Sequence, residues 1–398
     1  MRCIPAVVLA AVLLASPGAS AQDEPAHHRI DLSKRFQTID HFGASDCWTT
    51  KILETWSEES RTRVADLLFS REKGIGLSLW RFNIGAGRQL DRIKEPLRTT
   101  ESFESAPGKY DWSRMAAERW MLRAAKKSGV ARFLAFSLSG TPRMTLNGFV
   151  NADPGTHTVN LKRNAEAGYA RYLADVVEHF DRGYPPDERI AFDWISPFNE
   201  PQWGWNGGIQ EGTRASNADV KRVAILLDDQ LRQRSLTTRV HLTESGCMPD
   251  MTAPNAEMTK KYGVLFGDYV DAYCGDKSLR ERLDKTIGYH AYWSDGGDVF
   301  GKHLRVAIDG APLQNHAGLI ATAYHDAAGG RVVVVYVNSG SASVLARLDV
   351  GGDTRRPKTQ RVWVTSAAPG DDLRALEATA AGETLTIPGR ALVTVVLE

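Results

Sequence analysis

Asn199, Glu200, Pro201, Trp203 and Trp205 bring together the side chains needed to work on a sugar. A glutamic acid can protonate a glycosidic oxygen when its pKa is raised, and an asparagine can hydrogen-bond a ring hydroxyl. Tryptophan offers a flat apolar face with a polar edge, which suits the face of a pyranose. Each part also has a plainer reading, since a lone Glu in a loop caps a helix and tryptophans fill cores. The preceding residues favour the sugar. Residues 190–198, IAFDWISPF, read as a buried strand of a parallel sheet. Pro201 cannot donate to a ladder and is expected to hold Glu200 extended. A carboxylate is thereby carried to the carboxyl end of a strand.

The elements that must position this group follow an alternation of strands and amphipathic helices. Strands are expected at 41–46, 76–84, 132–138, 190–198, 239–243 and 286–290. Helices are expected at 58–69, 112–127, 164–180, 217–234, 258–273 and 279–283, with Ser57 and Ser216 or Asn217 as N-caps. The second strand ends in Arg81, Asn83 and Gly85, and the fifth ends at Glu244. From Leu304 onward every segment reads as β: 304–308, 318–325, 331–338, 343–350, 360–365, 384–387 and 391–397, with Gly-Gly turns between some of them. The fold class is therefore α/β. It is a (β/α)8-type TIM barrel of which about six β/α units are recognisable, followed by a C-terminal antiparallel β-sandwich. Between Asp295 and Leu304 there is no room for two more strand–helix units.

Several stretches besides Asn199-Glu200-Pro201 bear a family likeness. They are Phe42-Gly43-Ala44-Ser45 with Cys47-Trp48, Leu79-Trp80-Arg81-Phe82-Asn83-Ile84-Gly85, residues 137–145 with Asn147-Gly148, and Tyr289-His290-Ala291-Tyr292-Trp293. In this order they resemble glycoside hydrolase family 30, retaining barrel glycosidases, and especially its endo-β-1,6-galactanase-like members. The likeness spans roughly residues 29–295 and resumes in the C-terminal strands. It implies that a strand at 29–39 joins the β-domain, and that Glu200 is the acid/base. A retaining glycosidase needs a second carboxylate about 5 to 5.5 Å from the first. The family places that nucleophile after a seventh strand, where this sequence has no matching residue. Glu244 is the other strand-end glutamate, and it reads as an orienting partner of Glu200 more readily than as a nucleophile. Glu377, Glu383 and Glu398 fall in the β segments without a strand-end motif.

The resemblance also implies sugar contacts from Trp48, Arg81, Asn83, Asn199, Trp203, Trp205, His290 and Tyr292. Arg81 reads alternatively as half of a structural ion pair. Trp48, Tyr292 and Trp293 read equally as core, and His290 nearly so. The family's usual Pro-Pro-Trp pattern in the 137–145 loop is replaced by Gly140-Thr141-Pro142-Arg143.

Residues 1–21 read as a signal peptide: Arg2, an apolar run over 4–15 too short to span a bilayer, and Ala19-Ser20-Ala21 for cleavage. This predicts a secreted or periplasmic product, with the N-terminal strand in 22–40, the barrel in 41–300 and the β-domain in 301–398. Lys plus Arg number 49 against 48 Asp plus Glu, with no basic cluster, so nucleic acid and anionic membranes are not expected partners. After cleavage Cys47, Cys247 and Cys274 remain, an odd set within which Cys247 can pair with Cys274 in an oxidising compartment. No cofactor and no metal is expected, since no Cys/His cluster has zinc spacing. The expected partner is a polysaccharide or oligosaccharide, β-linked galactan being favoured by the resemblance. Three readings follow: a retaining β-glycosidase of doubtful activity, a non-catalytic carbohydrate-binding protein, and a degenerate family member.

Overall fold

A computed structural model of the chain describes residues 24–39, 41–153, 159–206, 208–242, 244–246, 249–277, 279, 303–308, 319–326, 330–352 and 356–398. The expected signal peptide, the sixth strand at 286–290, His290, Tyr292, Trp293 and Cys247 lie outside these residues. The chain divides into two compact units, one formed by residues 38–303 and the other by residues up to 37 together with 304–398.

Among the described residues the first unit is built on five parallel strands: β1 (Gly43–Ser45), β2 (Leu79–Ile84), β3 (Arg132–Ser137), β4 (Trp194–Ser196) and β5 (Arg239–Val240), adjacent in that order. Between them run helices α1 (Glu58–Phe69), α2 (Ala116–Lys127), α3 (Glu166–Glu178) and α4 (Asn217–Gln233). This is the barrel alternation, with sequence-consecutive strands as spatial neighbours. Strands β2 and β3 are buried at every position but the first, as a parallel sheet covered by helices requires, with Arg81 and Asn83 of β2 buried as well.

Local chemistry sets the helix ends. Ser57 caps α1 by accepting from the Ser60 N–H. Ser216 and Asp219 form a reciprocal capping box at α4. Helix α2 starts at Ala116 rather than 112 because Asp111 Oδ1 accepts from the Ser113 N–H and hydroxyl, holding a turn there. The helix expected over 258–273 is divided into Ala256–Tyr262 and a π-helical turn at Val270–Cys274. The first stops at Gly263, which takes the left-handed φ of 68° that terminates helices. Only Trp194–Ser196 of the fourth apolar run joins the ladder, yet Ile190, Phe192, Ile195 and Phe198 are all at most 2% exposed. Two tyrosines of α3 reach strand ends: Tyr169 donates to Pro197 O at 2.7 Å and Tyr172 to Gly85 O at 3.0 Å.

The described residues of the second unit form a ten-stranded sheet that contains Ala26–Ile39 and the strands from His303–Ile308 to Ala391–Leu397. From residue 303 onward the seven expected strands are found with bounds within one residue, joined by two short strands not expected, Arg374–Ala375 and Thr379–Ala380, while the N-terminal strand begins three residues earlier than expected. The N-terminal strand does pair here, and it pairs parallel with Val344–Gly351 (Ala26 opposite Ala346), so the sheet is not antiparallel throughout. Alternate residues such as Val332, Val334 and Tyr336 face a core with Val393, Val395 and Ile387.

His28, 2% exposed, hydrogen-bonds through Nδ1 with the Tyr336 hydroxyl at 2.8 Å. Burial holds its pKa below the usual 6.5, and the neighbouring His27 adds to this. A depressed histidine contributes stability that is present above the unfolded value and lost as pH falls toward the folded one. Calorimetry is expected to show the melting temperature dropping between pH 7 and pH 5 with a smaller drop in His28→Gln. Equal slopes in the two proteins would remove this role for His28.

Candidate active site

The register of the parallel sheet collects the polar side chains at its carboxyl edge. Ser45 lies opposite Arg81, and Asn199 forms a parallel bridge with Glu244 just beyond the regular strands. Arg81 is the hub. Its Nε donates to Glu244 Oε1 at 2.6 Å and its Nη2 to Glu244 Oε2 at 2.7 Å, a bidentate pair. The same Nη2 donates to Asn199 Oδ1 at 2.6 Å, and Nη1 to Ser45 Oγ at 3.2 Å. The guanidinium lies 3.1 Å from the centroid of the Phe136 ring. Arg81, Asn199 and Glu244 are 9%, 6% and 4% exposed, so this network is largely out of water. A planar fork with several fixed donors suits such a site; a lysine could not reproduce it.

Glu200 is half-buried beside the network. It is not extended as Pro201 led one to expect: its φ is +44°. Tertiary bonds hold this unusual backbone. Its N–H donates to Glu244 O at 2.8 Å, and its carbonyl accepts from the Trp203 N–H at 3.2 Å and the Trp205 indole N–H at 2.8 Å. Strained backbone of this kind persists only where the surroundings over-determine it. Burial pushes the Glu200 carboxyl above its ordinary range; Arg81 pulls back against this, while Glu244 adds to the rise. A carboxyl in that state keeps its proton to higher pH than a free glutamate does, as a group that protonates a leaving oxygen must.

The model of O-Glycosyl hydrolase family 30 matches residues 25–311. The chain belongs to that family. An endo-β-1,6-galactanase from Hypocrea rufa is 25% identical over 298 residues, covering 67% of this chain and 56% of that protein. The family 30 chain thus spans about half the length of this curated relative. Among solved structures, a conserved exported protein from Bacteroides fragilis superposes with a TM-score of 0.69 at 22% identity, covering 93% of this chain and 99% of that one. The catalytic domain of the family 30 xylanase C from Talaromyces cellulolyticus gives 0.61 at 17% identity, over 94% and 100%. At these identities the structures speak for the fold, a (β/α)8 barrel with a β-sandwich.

The remaining expected residues of the family 30 chain separate by surroundings. Trp203 is 42% exposed, with its indole edge over Gly246, where an added Cβ would come 2.1 Å from Nε1. Trp205 is turned inward, half-buried, with its indole N–H committed to Glu200 O. Trp48 is half-buried against Leu134, Phe136 and Trp194, with the Arg98 guanidinium 5.0 Å from its ring centre. Asn83 is 2% exposed; its N–H donates to Asp46 Oδ1 at 3.0 Å and its amide nitrogen lies 3.5 Å from Thr100 Oγ1.

Sequence reasoning named neither Ser45's bond to Arg81 nor a buried charged group at the ends of β1 and β2. There Asp46 and Glu118 are pushed up in pKa, each chiefly by burial, with Lys51 between the acids. Lys51 Nζ donates to Leu97 O at 2.8 Å and Thr99 O at 2.5 Å. Ser45 stood inside a quoted motif; Lys51 and Glu118 had no distinguishing signal, since isolated charges read as surface. Among the described residues no group of His, Cys, Asp and Glu could hold a metal ion.

Proposed function

We propose that this chain is an exported, saccharide-directed family 30 protein that takes β-linked galactan, with Glu200 as the acid/base of a retaining mechanism and with slow turnover. The observation that carries this is the setting of Glu200: a half-buried carboxyl of raised pKa at a barrel strand end, beside an exposed indole. The galactan reading rests on the galactanase relative. Export is read from Arg2, the apolar run and Ala19-Ser20-Ala21.

Slow turnover follows from the second carboxylate. Both Glu244 oxygens are committed to Arg81, and its side chain is 5% exposed, which suits a residue that positions Arg81 and tunes Glu200. Adjacent strands lie about 4.8 Å apart, so a carboxylate after β5 stands beside Glu200. A nucleophile must face the acid/base across the sugar. The sequence has no glutamate between Glu281 and Glu377 to take that part.

The test is to express the intact gene, sequence the amino terminus of exported protein, and assay residues 22–398 with β-1,6-galactan and aryl β-galactosides. Expected are an amino terminus near Gln22, a cooperative melt, binding by calorimetry and little hydrolysis. Rapid hydrolysis abolished by Glu244→Gln would show that β5 supplies the nucleophile, and the slow-turnover reading would fall. Neither binding nor hydrolysis of any β-galactan would remove the substrate assignment.

A further inference from the structure

Glu211 stands outside every motif quoted above and outside the Arg81 network, yet it is fully buried at 0% exposure. Its backbone N–H donates to Arg98 O at 3.1 Å, and its carboxyl accepts from the Thr100 N–H. The next residue, Gly212, donates to Val150 O at 3.0 Å and bridges in parallel with Asn151. Residue 212 has no room for a side chain, because an added Cβ would come 2.4 Å from the Trp205 indole. Trp205, itself at a φ of +50°, accepts from the Ala152 N–H at 3.0 Å and donates its indole N–H to Glu200 O. An unbroken run of contacts therefore leads from Glu211 through Gly212 and Trp205 to the backbone of Glu200. Trp205 is the middle of that run, which accounts for its inward pose.

We propose that Glu211 is a positioning residue: by pinning the chain after Trp205 to residues 98–100, it fixes the Trp205 indole and hence the pose in which Glu200 presents its carboxyl. This rests on the reading of Glu200 as acid/base. The groups facing Glu211 make the pin sensitive to charge. Burial pushes its carboxyl up to about 7, with the Thr100 N–H and the Lys51 ammonium pulling the other way. Cys47 and Tyr172, which also face it, are held neutral because burial raises both. Lys51 is shared with Glu118 and Asp46 and is itself made less basic by burial. An acid with a raised folded pKa contributes stability that is complete below the unfolded value and lost as pH rises through the folded one. The pin is therefore firm in mild acid and loosens above neutral pH.

Hydrogen exchange read by mass spectrometry on residues 22–398 tests this without any substrate. Peptides covering 199–206 and α3 are compared in the native protein, Glu211→Gln and Glu211→Ala at pH 5 and pH 8. The Gln side chain still accepts from the Thr100 N–H but does not titrate. At 199–206 the exchange rate of the native protein relative to Glu211→Gln is expected to rise about tenfold or more from pH 5 to pH 8, with α3 unchanged. Glu211→Ala should exchange faster than Glu211→Gln at both pH values. A native-to-Gln ratio equal at both pH values would overturn the proposal. So would an Ala variant that loosens α3 as much as 199–206, since Glu211 would then only support the fold. A failure of the acid/base reading would appear separately, as unchanged hydrolysis in Glu200→Gln.

Discussion

Arg81→Met is expected to lower folding stability by about 3 to 5 kcal/mol, the range for removing one partner of a buried ion pair. The reason is what stays behind. Glu244 is 4% exposed, and both of its oxygens accept from Arg81, so the variant strands a carboxylate in the interior with neither water nor cation. Asn199 Oδ1 and Ser45 Oγ lose a donor as well. Arg81→Lys should recover part of the loss, because an ammonium restores charge without the two parallel bonds. The informative variant is the double replacement Arg81→Met with Glu244→Met, which removes both charges and fills similar volume. It is expected to regain most of the stability, as apolar replacements of buried pairs do. Urea denaturation midpoints measure all of these. A double variant no more stable than Arg81→Met would show that the cost lies in packing against Phe136 and not in the stranded charge.

Glu200→Gln is expected to slow hydrolysis of β-galactosides with poor leaving groups by about a hundredfold or more, which corresponds to about 2.7 kcal/mol of barrier. Glutamine keeps the shape and the backbone bonds to Glu244 O, Trp203 and Trp205 while removing the transferable proton. Aryl glycosides with good leaving groups need little protonation and should be slowed much less. The pH profile supplies a second readout. A general acid works in its protonated form, and burial raises the pKa of Glu200, so the rate should fall as pH rises past that value. That alkaline limb should vanish in Glu200→Gln. Equal rates for the native protein and the variant on a poor leaving group would take the acid/base role from Glu200.

Much of this arrangement can be read from short stretches of chain. The runs ending at Ser137 and Ser196 are apolar on both faces until their last residue, and a strand without a polar face must be covered on both sides, which already implies a parallel sheet under helices. Helix α4 follows directly from Ser216 and Asp219, because a capping box needs only residues three apart. The acid/base candidate is equally local, since Asn199-Glu200-Pro201 sits at the end of one such run. Local rules failed where a distant group outbid them. Pro201 disposes Glu200 to an extended backbone, but the Glu244 carbonyl and the Trp205 indole hold it at a φ of +44°.

What the sequence determined by itself, then, is a candidate acid and the alternation that carries it to a strand end, since both depend on neighbours a few residues apart. The tertiary structure decided its environment. Arg81 meets Glu244 across 163 residues and Asn199 across 118, and Glu211 meets Thr100 across 111. Whether such groups touch is a matter of strand register and loop path, and in a parallel sheet a slip of one residue turns a side chain from one face to the other. For the same reason Trp203 and Trp205, two residues apart and alike in the sequence, part company: the fold leaves one indole exposed and commits the other to the backbone of Glu200.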